Sequence, residues 1–389
     1  MLTGDGRRAP FIGSVRLEGA LIAELGEALN PQPGEPVFEA AGRVLMPGFV
    51  DAHTHAAFAG HRLDEFELKR QGKGYLEILG EGGGIFSTVR AVRAASQEEL
   101  ERGLSLRLWH LLAEGTTSVE VKSGYGLTTA DELKLLRAIR GAARGFPGAV
   151  VATALLGHAV DPEQPHFVDY VVEETLPAVH AEFPGISIDA FCERGAWSPS
   201  DCRRLFLRAL ELGHPVRLHT DQFTALGGVD LALELGARSV DHLEATPPEA
   251  LSRIARTDTF GVMLPVSGFH TDQRYANGRA FLDAGGKLVL ATNYNPGSSP
   301  CSSMPFVIAL AVRALGVSAL EAISATTHTA AQLLGLSDRG VIRAGAKADL
   351  VLLRHRDERL LGYELGGNPV DRVWVNGRDI DLASPERPG

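Results

Sequence analysis

The sequence is poor in cysteine and carries no excess of positive charge, and each shortage narrows what the chain can be. Its three cysteines, Cys192, Cys202 and Cys301, are few and scattered over 389 residues, and none belongs to a Cys-x-x-Cys pair. That excludes a disulfide framework and a cysteine zinc site. A formal net charge of −10 argues against nucleic acid or an anionic membrane as partner, so an anionic ligand must be captured by local positive charge. No apolar run reaches transmembrane length. The opening stretch MLTGDGRRAPFIGSV has no apolar h-region, and a soluble, cytosolic protein is expected. No solenoid-length repeat, low-complexity tract or long linker divides the chain.

What is present is an alternation. With 44% hydrophobic and 22% charged residues, the composition is that of an ordinary globular protein. Short β-branched runs at 44–50, 117–121, 150–156, 186–191, 216–219, 239–242, 259–264 and 287–292 are separated by amphipathic stretches such as 98–113, 130–141, 201–212 and 228–235. The last run, KLVLAT, is continuously apolar, as a parallel strand buried on both faces should be. Eight strand–helix units in roughly 250 residues match a (β/α)8 TIM barrel of the α/β class. The flanks differ. Residues 13–46 hold SVRLEG, LIAELGE and PVFEAAGRVL, and residues 339–380 hold RGVIRAGAKADLVLL and VDRVWVNGRDI. A small β-sandwich composed of 1–46 and 339–389, beside a barrel over 47–338, is therefore expected.

Reactive side chains of a TIM barrel sit at the C-terminal ends of its strands, and here those ends are where the polar residues gather. The first run leads into Asp51-Ala52-His53-Thr54-His55, the second into Lys122-Ser123-Gly124-Tyr125 and the third into Gly157-His158. The fifth ends at His219, the sixth at Asp241-His242 and the eighth at Asn293-Tyr294-Asn295. His53 and His55, two apart on a strand, project to one face. Two neutral imidazoles so placed suit zinc or iron, and His219 and His242 at later strand ends strengthen that reading. His110, His180, His214, His328 and His355 fall in helical or flanking stretches and are assigned packing or solvated roles. His61, His166 and His270 lie in loops, where the sequence does not decide between roles.

The run Pro47-Gly48-Phe49-Val50-Asp51-Ala52-His53-Thr54-His55 resembles the opening signature of the amidohydrolase superfamily. Gly345-Ala346-Lys347-Ala348-Asp349-Leu350-Val351 resembles the segment by which that superfamily returns to its small β-domain. More specific are 56–62 (AAFAGHR), Gly82-Gly83-Gly84-Ile85, Val121-Lys122-Ser123-Gly124-Tyr125-Gly126-Leu127, Phe191-Cys192-Glu193 and Asn295-Pro296-Gly297-Ser298-Ser299. These are similar to the imidazolonepropionase family of histidine degradation. The resemblance implies hydrolysis of the cyclic amide 4-imidazolone-5-propanoate to N-formimidoyl-L-glutamate by a metal-activated water. It implies His53, His55, His219 and residue 293 as ligands of one zinc or iron ion. Arg62, Tyr125, His158, Gln222, Asn295, Gly297 and Ser298 would bind substrate, and His242 would position or deprotonate the water. It also implies a homodimer acting on a small molecule. The chemistry agrees: Arg62 offers a planar fork to the propionate, and Tyr125 and His158 suit the ring's nitrogen and carbonyl oxygen. Backbone N–H groups near Gly297 and the Ser298 hydroxyl would suit a carboxylate. Gly82–Gly84 would be a lid or a plain loop, and it lacks the Lys-Ser/Thr of a phosphate-binding loop.

Position 293 departs from the pattern. The superfamily places an aspartate there, as ligand and proton acceptor, and this chain reads Ala291-Thr292-Asn293-Tyr294. A carboxamide offers the metal its carbonyl oxygen but is no base at neutral pH. Either another base such as His242 serves, or the substitution was introduced to trap substrate, or the chain is a ligand-binding pseudoenzyme. A different cyclic amidase or a deaminase of the same superfamily is the alternative enzyme.

Overall fold

The computed structural model describes residues 1–6, 9–73 and 83–382. Strands β4 (Phe49–Asp51), β5 (Thr116–Lys122), β6 (Ala149–Gly157), β7 (Ser187–Cys192), β8 (Val216–Thr220), β9 (Ser239–His242), β10 (Phe260–Met263) and β11 (Leu288–Leu290) form one sheet in chain order. Every neighbouring pair in it is parallel. The two edges meet beyond their strand ends: Asn293 N–H donates to His53 O at 3.0 Å and His55 N–H to Tyr294 O at 3.0 Å, with a parallel bridge between Thr54 and Tyr294. The sheet thus closes into a barrel, and its seam lies among the candidate ligands. Helices such as Gln97–Ala113, Thr129–Gly145 and Pro199–Glu211 cover the outside. Two of these three begin at serine caps with reciprocal capping boxes, Ser96 with Glu99 and Ser198 with Asp201, which satisfy N–H groups that a helix start otherwise leaves unpaired.

The first expected strand, 44–50, is two strands. β3 (Leu45–Pro47) belongs to another sheet, and the chain crosses into β4 at Gly48. A Cβ there would lie 2.3 Å from Thr117 Oγ1, so only glycine permits so close an approach. PVFEAAGRVL is likewise irregular up to Leu45, because left-handed Ala41 and Gly42 break it. The chain ends come together. β3 pairs antiparallel with β12 (Leu350–Leu353), which pairs with β13 (Val370–Val375), which turns at Asn376-Gly377 into β14 (Arg378–Asp379). Asn-Gly suits a tight hairpin because both central residues take positive φ, here 50° and 74°. The hairpin of β1 (Ser14–Glu18) and β2 (Leu21–Gly26) shares a core with this sheet around Ile22, Val341, Ile342 and Leu350. No helix among the described residues is long and apolar enough to cross a membrane. Of the glycines at 82–84, Gly82 lies outside the described residues.

Candidate active site

Past β4 the chain stays extended, so His53 and His55 face one way while Thr54 turns outward and donates through Oγ1 to Glu120 O at 2.7 Å. Asp51 stitches the seam, accepting the Thr292 N–H at 3.1 Å and the Thr292 hydroxyl at 2.5 Å. Burial pushes its carboxyl up to about 7. His219 arrives from the end of β8. The three ring nitrogens converge: His55 Nε2 stands 3.2 Å from His53 Nε2 and 3.3 Å from His219 Nε2. Neither His53 nor His219 can supply the proton for these contacts. Each places Nδ1 against a carboxylate, His53 against Asp241 Oδ2 at 2.7 Å and His219 against Asp189 Oδ1 at 3.0 Å. A carboxylate only accepts, so the proton sits on Nδ1 and both Nε2 lone pairs face inward.

His55 Nε2 can donate to only one of these two, so at least one buried lone pair is left without a partner unless a cation lies between the rings. Four ligands bound tetrahedrally at about 2.0–2.1 Å stand about 3.3–3.4 Å apart, so the observed spacing suits an ion such as zinc. Burial also holds His53, His55 and His219 well below the usual imidazole pKa, which keeps them in the neutral, ligating form. Two further buried atoms, His55 Nδ1 and Asn293 Oδ1, have no hydrogen-bond partner. Asn293 is tied to this place by its N–H bond to His53 O, and its amide Nδ2 reaches Ser298 Oγ at 3.4 Å. The donors present fit a single borderline-soft cation, with a carboxamide oxygen available where a carboxylate would be stronger.

Above the imidazoles opens a cavity of about 130 Å³, lined by His55, His219, Asn293, His242 and all the residues expected to bind substrate: Arg62, Tyr125, His158, Gln222, Asn295, Gly297 and Ser298. Only His53 lies beneath it, fully buried. His158 donates Nδ1–H to Gly124 O at 2.9 Å and stacks on His55 with ring centroids 5.1 Å apart. Burial lowers it to about 4. Gln222 donates to Ser267 Oγ at 3.2 Å. The Asn295 loop differs from expectation. Asn295 Oδ1 accepts the N–H groups of Gly297 and Ser298, each at 2.8 Å, so these backbone donors brace the loop. Gly297 contributes space instead: a Cβ there would lie 2.2 Å from Arg62 Nη1.

Several participants were given no role from the sequence, although Lys122 and Asp241 were among its polar strand ends. Glu65 holds Arg62 through Nε at 2.8 Å. Beneath the imidazoles lies a buried ion network. Lys122 Nζ donates to Glu120 Oε1 at 2.7 Å and Asp189 Oδ2 at 2.8 Å. Arg217 reaches Glu120 Oε1 at 3.2 Å and Asp241 Oδ2 at 2.7 Å. All five side chains are at most 2% exposed. Burial raises the Asp189 carboxyl, whereas Arg217 and Lys122 override burial at Asp241 and hold it low. The overlooked signal was period-two polarity in otherwise buried strands: Glu120 with Lys122, Arg217 with His219, Ser239 with Asp241.

Comparison with known proteins places the chain in a family. The amidohydrolase family profile matches residues 67–380. Imidazolonepropionase from Herpetosiphon aurantiacus is 45% identical over 381 residues, covering 94% of this chain and 89% of its own. That from Deinococcus radiodurans is 42% identical, covering 94% and 91%. Among solved structures, 5-methylcytosine deaminase from Klebsiella pneumoniae superimposes with a TM-score of 0.74 at 16% identity, covering 96% of each chain. N-isopropylammelide isopropylaminohydrolase from Burkholderia multivorans gives 0.69 at 21%, covering 94% of each. At such identity these two establish the barrel fold alone. The chain belongs to the amidohydrolase family, and within it to the imidazolonepropionases.

Proposed function

We propose that this chain opens the ring of 4-imidazolone-5-propanoate by hydrolysis, giving N-formimidoyl-L-glutamate. The observation that carries the proposal is the convergence of three neutral imidazole Nε2 atoms on the floor of a cavity whose wall presents an arginine. His53, His55 and His219 would hold a zinc or iron ion, with the Asn293 carbonyl oxygen as a weaker fourth donor. The ion, when bound, supplies Lewis acidity and lowers the pKa of a water toward about 7.

The protein's own groups do the rest. Arg62, braced by Glu65 and given room by Gly297, pairs with the propionate carboxylate. Tyr125 and His158 flank the flat ring, and with its proton fixed on Nδ1 by Gly124 O, His158 offers Nε2 as an acceptor to a ring N–H. Gln222, Asn295 and Ser298 complete the polar wall. His242 takes a proton from water as the oxygen attacks the ring carbonyl carbon, and gives it to the ring nitrogen as the C–N bond breaks. Three features expected from the sequence belong to the same reading: residues 1–46 and 339–389 acting as one β-unit beside a barrel of 47–338, a cytoplasmic location, and a homodimer, which sedimentation would test.

The test is a paired assay. Protein stripped by chelator, then reloaded with zinc or iron(II), is expected to convert the imidazolone into a product heavier by one water. Failure of both reloaded forms and of the reloaded Asn293→Asp variant would reject the reading.

A further inference from the structure

We propose that Glu244 is the positioning residue of His242, and that this pair carries proton traffic an aspartate at 293 would otherwise share. The inference rests on the hydrolase reading above.

No aspartate or glutamate lines the cavity among the described residues, and Asn293 has no basic atom. The proton acceptor therefore has to be an imidazole. Four histidines line the cavity: His55, His158, His219 and His242. His55 and His219 point Nε2 into the ligand cluster, and His158 is held by a backbone carbonyl. His242 alone sets its Nδ1 against a carboxylate without also belonging to that cluster, at 3.3 Å from Glu244 Oε1. The carboxylate accepts, so the proton resides on Nδ1 and the Nε2 lone pair is left for the cavity.

Two details mark this contact as built. His242 and Leu243 are consecutive non-glycine residues with φ of 90° and 72°, a backbone state that persists only where surroundings enforce it. Here Ala245 N–H bonds Asp221 O at 2.7 Å, and the turn brings Glu244 back to the ring two residues earlier. The side chains are only 4% and 5% exposed, and Glu244 Oε2 is buried with no partner. A buried carboxylate oxygen without a partner is costly, and an adjacent positive charge would offset that cost. An imidazolium formed on His242 supplies it. In the step, Nε2 gains one proton as the water oxygen bonds to the carbonyl carbon. The cation is stabilised by Glu244, and the proton then passes to the ring nitrogen as its bond to that carbon breaks, leaving His242 neutral.

A double-mutant cycle tests this, using zinc-reconstituted wild type, Glu244→Gln, Asn293→Asp and the double variant, each checked for equal zinc content. Glu244→Gln, of the same shape, is expected to lower kcat about 100-fold with KM nearly unchanged. In the Asn293→Asp background the same change should cost less than about tenfold, because the aspartate takes over. Histidine ¹⁵N NMR supplies a second readout, with His242 expected as the Nδ1–H tautomer in the wild type and losing that preference in Glu244→Gln. Equal losses in both backgrounds, no loss at all, or an Nε2–H tautomer in the wild type would overturn the pair. An inactive wild type beside an active Asn293→Asp variant would overturn the pair and leave the hydrolase reading standing. Inactivity of both would reject that reading, and the pair with it.

Discussion

Replacing Lys122 by methionine keeps most of the side chain's volume and removes its charge. In the native barrel Nζ is bonded to Glu120 Oε1 at 2.7 Å and Asp189 Oδ2 at 2.8 Å, with all three side chains inaccessible. After the change Glu120 still meets Arg217 at 3.2 Å, and Asp189 still accepts from His219 Nδ1 at 3.0 Å. One buried negative charge nevertheless loses its counter-ion. Removing one partner from a buried pair costs about 3–5 kcal/mol, far more than the pair's net worth, because the remaining charge stays desolvated. At about 2.1 cal/mol/K per residue, the unfolding entropy of 389 residues is about 0.8 kcal/mol/K, so Tm should fall by about 4–6 °C. Calorimetry on metal-free protein measures this directly. Lys122→Met combined with Asp189→Asn removes one charge of each sign and should lose less than the sum of the single changes. A Lys122→Met protein melting within about 1 °C of wild type would refute the reasoning.

Asp241→Asn, which weakens the acceptor for His53 Nδ1–H, should lower zinc affinity about 10–100-fold. Competition against a chromophoric chelator reads this out, and unchanged affinity would contradict it. Gly297→Ala places a methyl where Arg62 lies, so KM for the carboxylate-bearing substrate should rise about 10–100-fold with kcat nearly unchanged. A loss confined to kcat would argue against a binding role for Arg62. Burial lowers the folded-state pKa of His158 to about 4, from an ordinary imidazole value of 6.5. The unfolded chain therefore takes up this proton first, and the folded state loses stability as pH falls from about 6.5 toward about 4. Comparing metal-free wild type with His158→Gln isolates the effect: the wild type's Tm relative to the variant should decline across that window, and a constant difference would exclude it.

Barrel strands were legible because each is a short β-branched run and most lead into a polar residue, a pattern contained within single segments. All eight runs fall on observed strands, and the first failed only at its boundary. There the sequence shows one continuous run, whereas a steric contact between Gly48 and Thr117, 69 positions on, sends its halves to different sheets. His53, His55 and His219 were legible for the same local reason. The layer beneath them was not, because Glu120, Lys122, Asp189, Arg217 and Asp241 gain meaning only from pairing across strands, which no single segment encodes. Glu244 was hidden differently. It closes the Asp241-His242-Leu243-Glu244 stretch, and only the left-handed turn at His242 and Leu243 folds it back toward the ring. The Asn295 loop misled because its N–H groups look available in sequence, while the Asn295 side chain already occupies them.

Anomalous diffraction from crystals equilibrated with zinc would probe the convergence of imidazoles most directly. One strong peak is expected at about 2.0–2.1 Å from each of the Nε2 atoms of His53, His55 and His219. A peak elsewhere, or no peak while those three rings keep their places, would contradict a metal-dependent hydrolase built on this site.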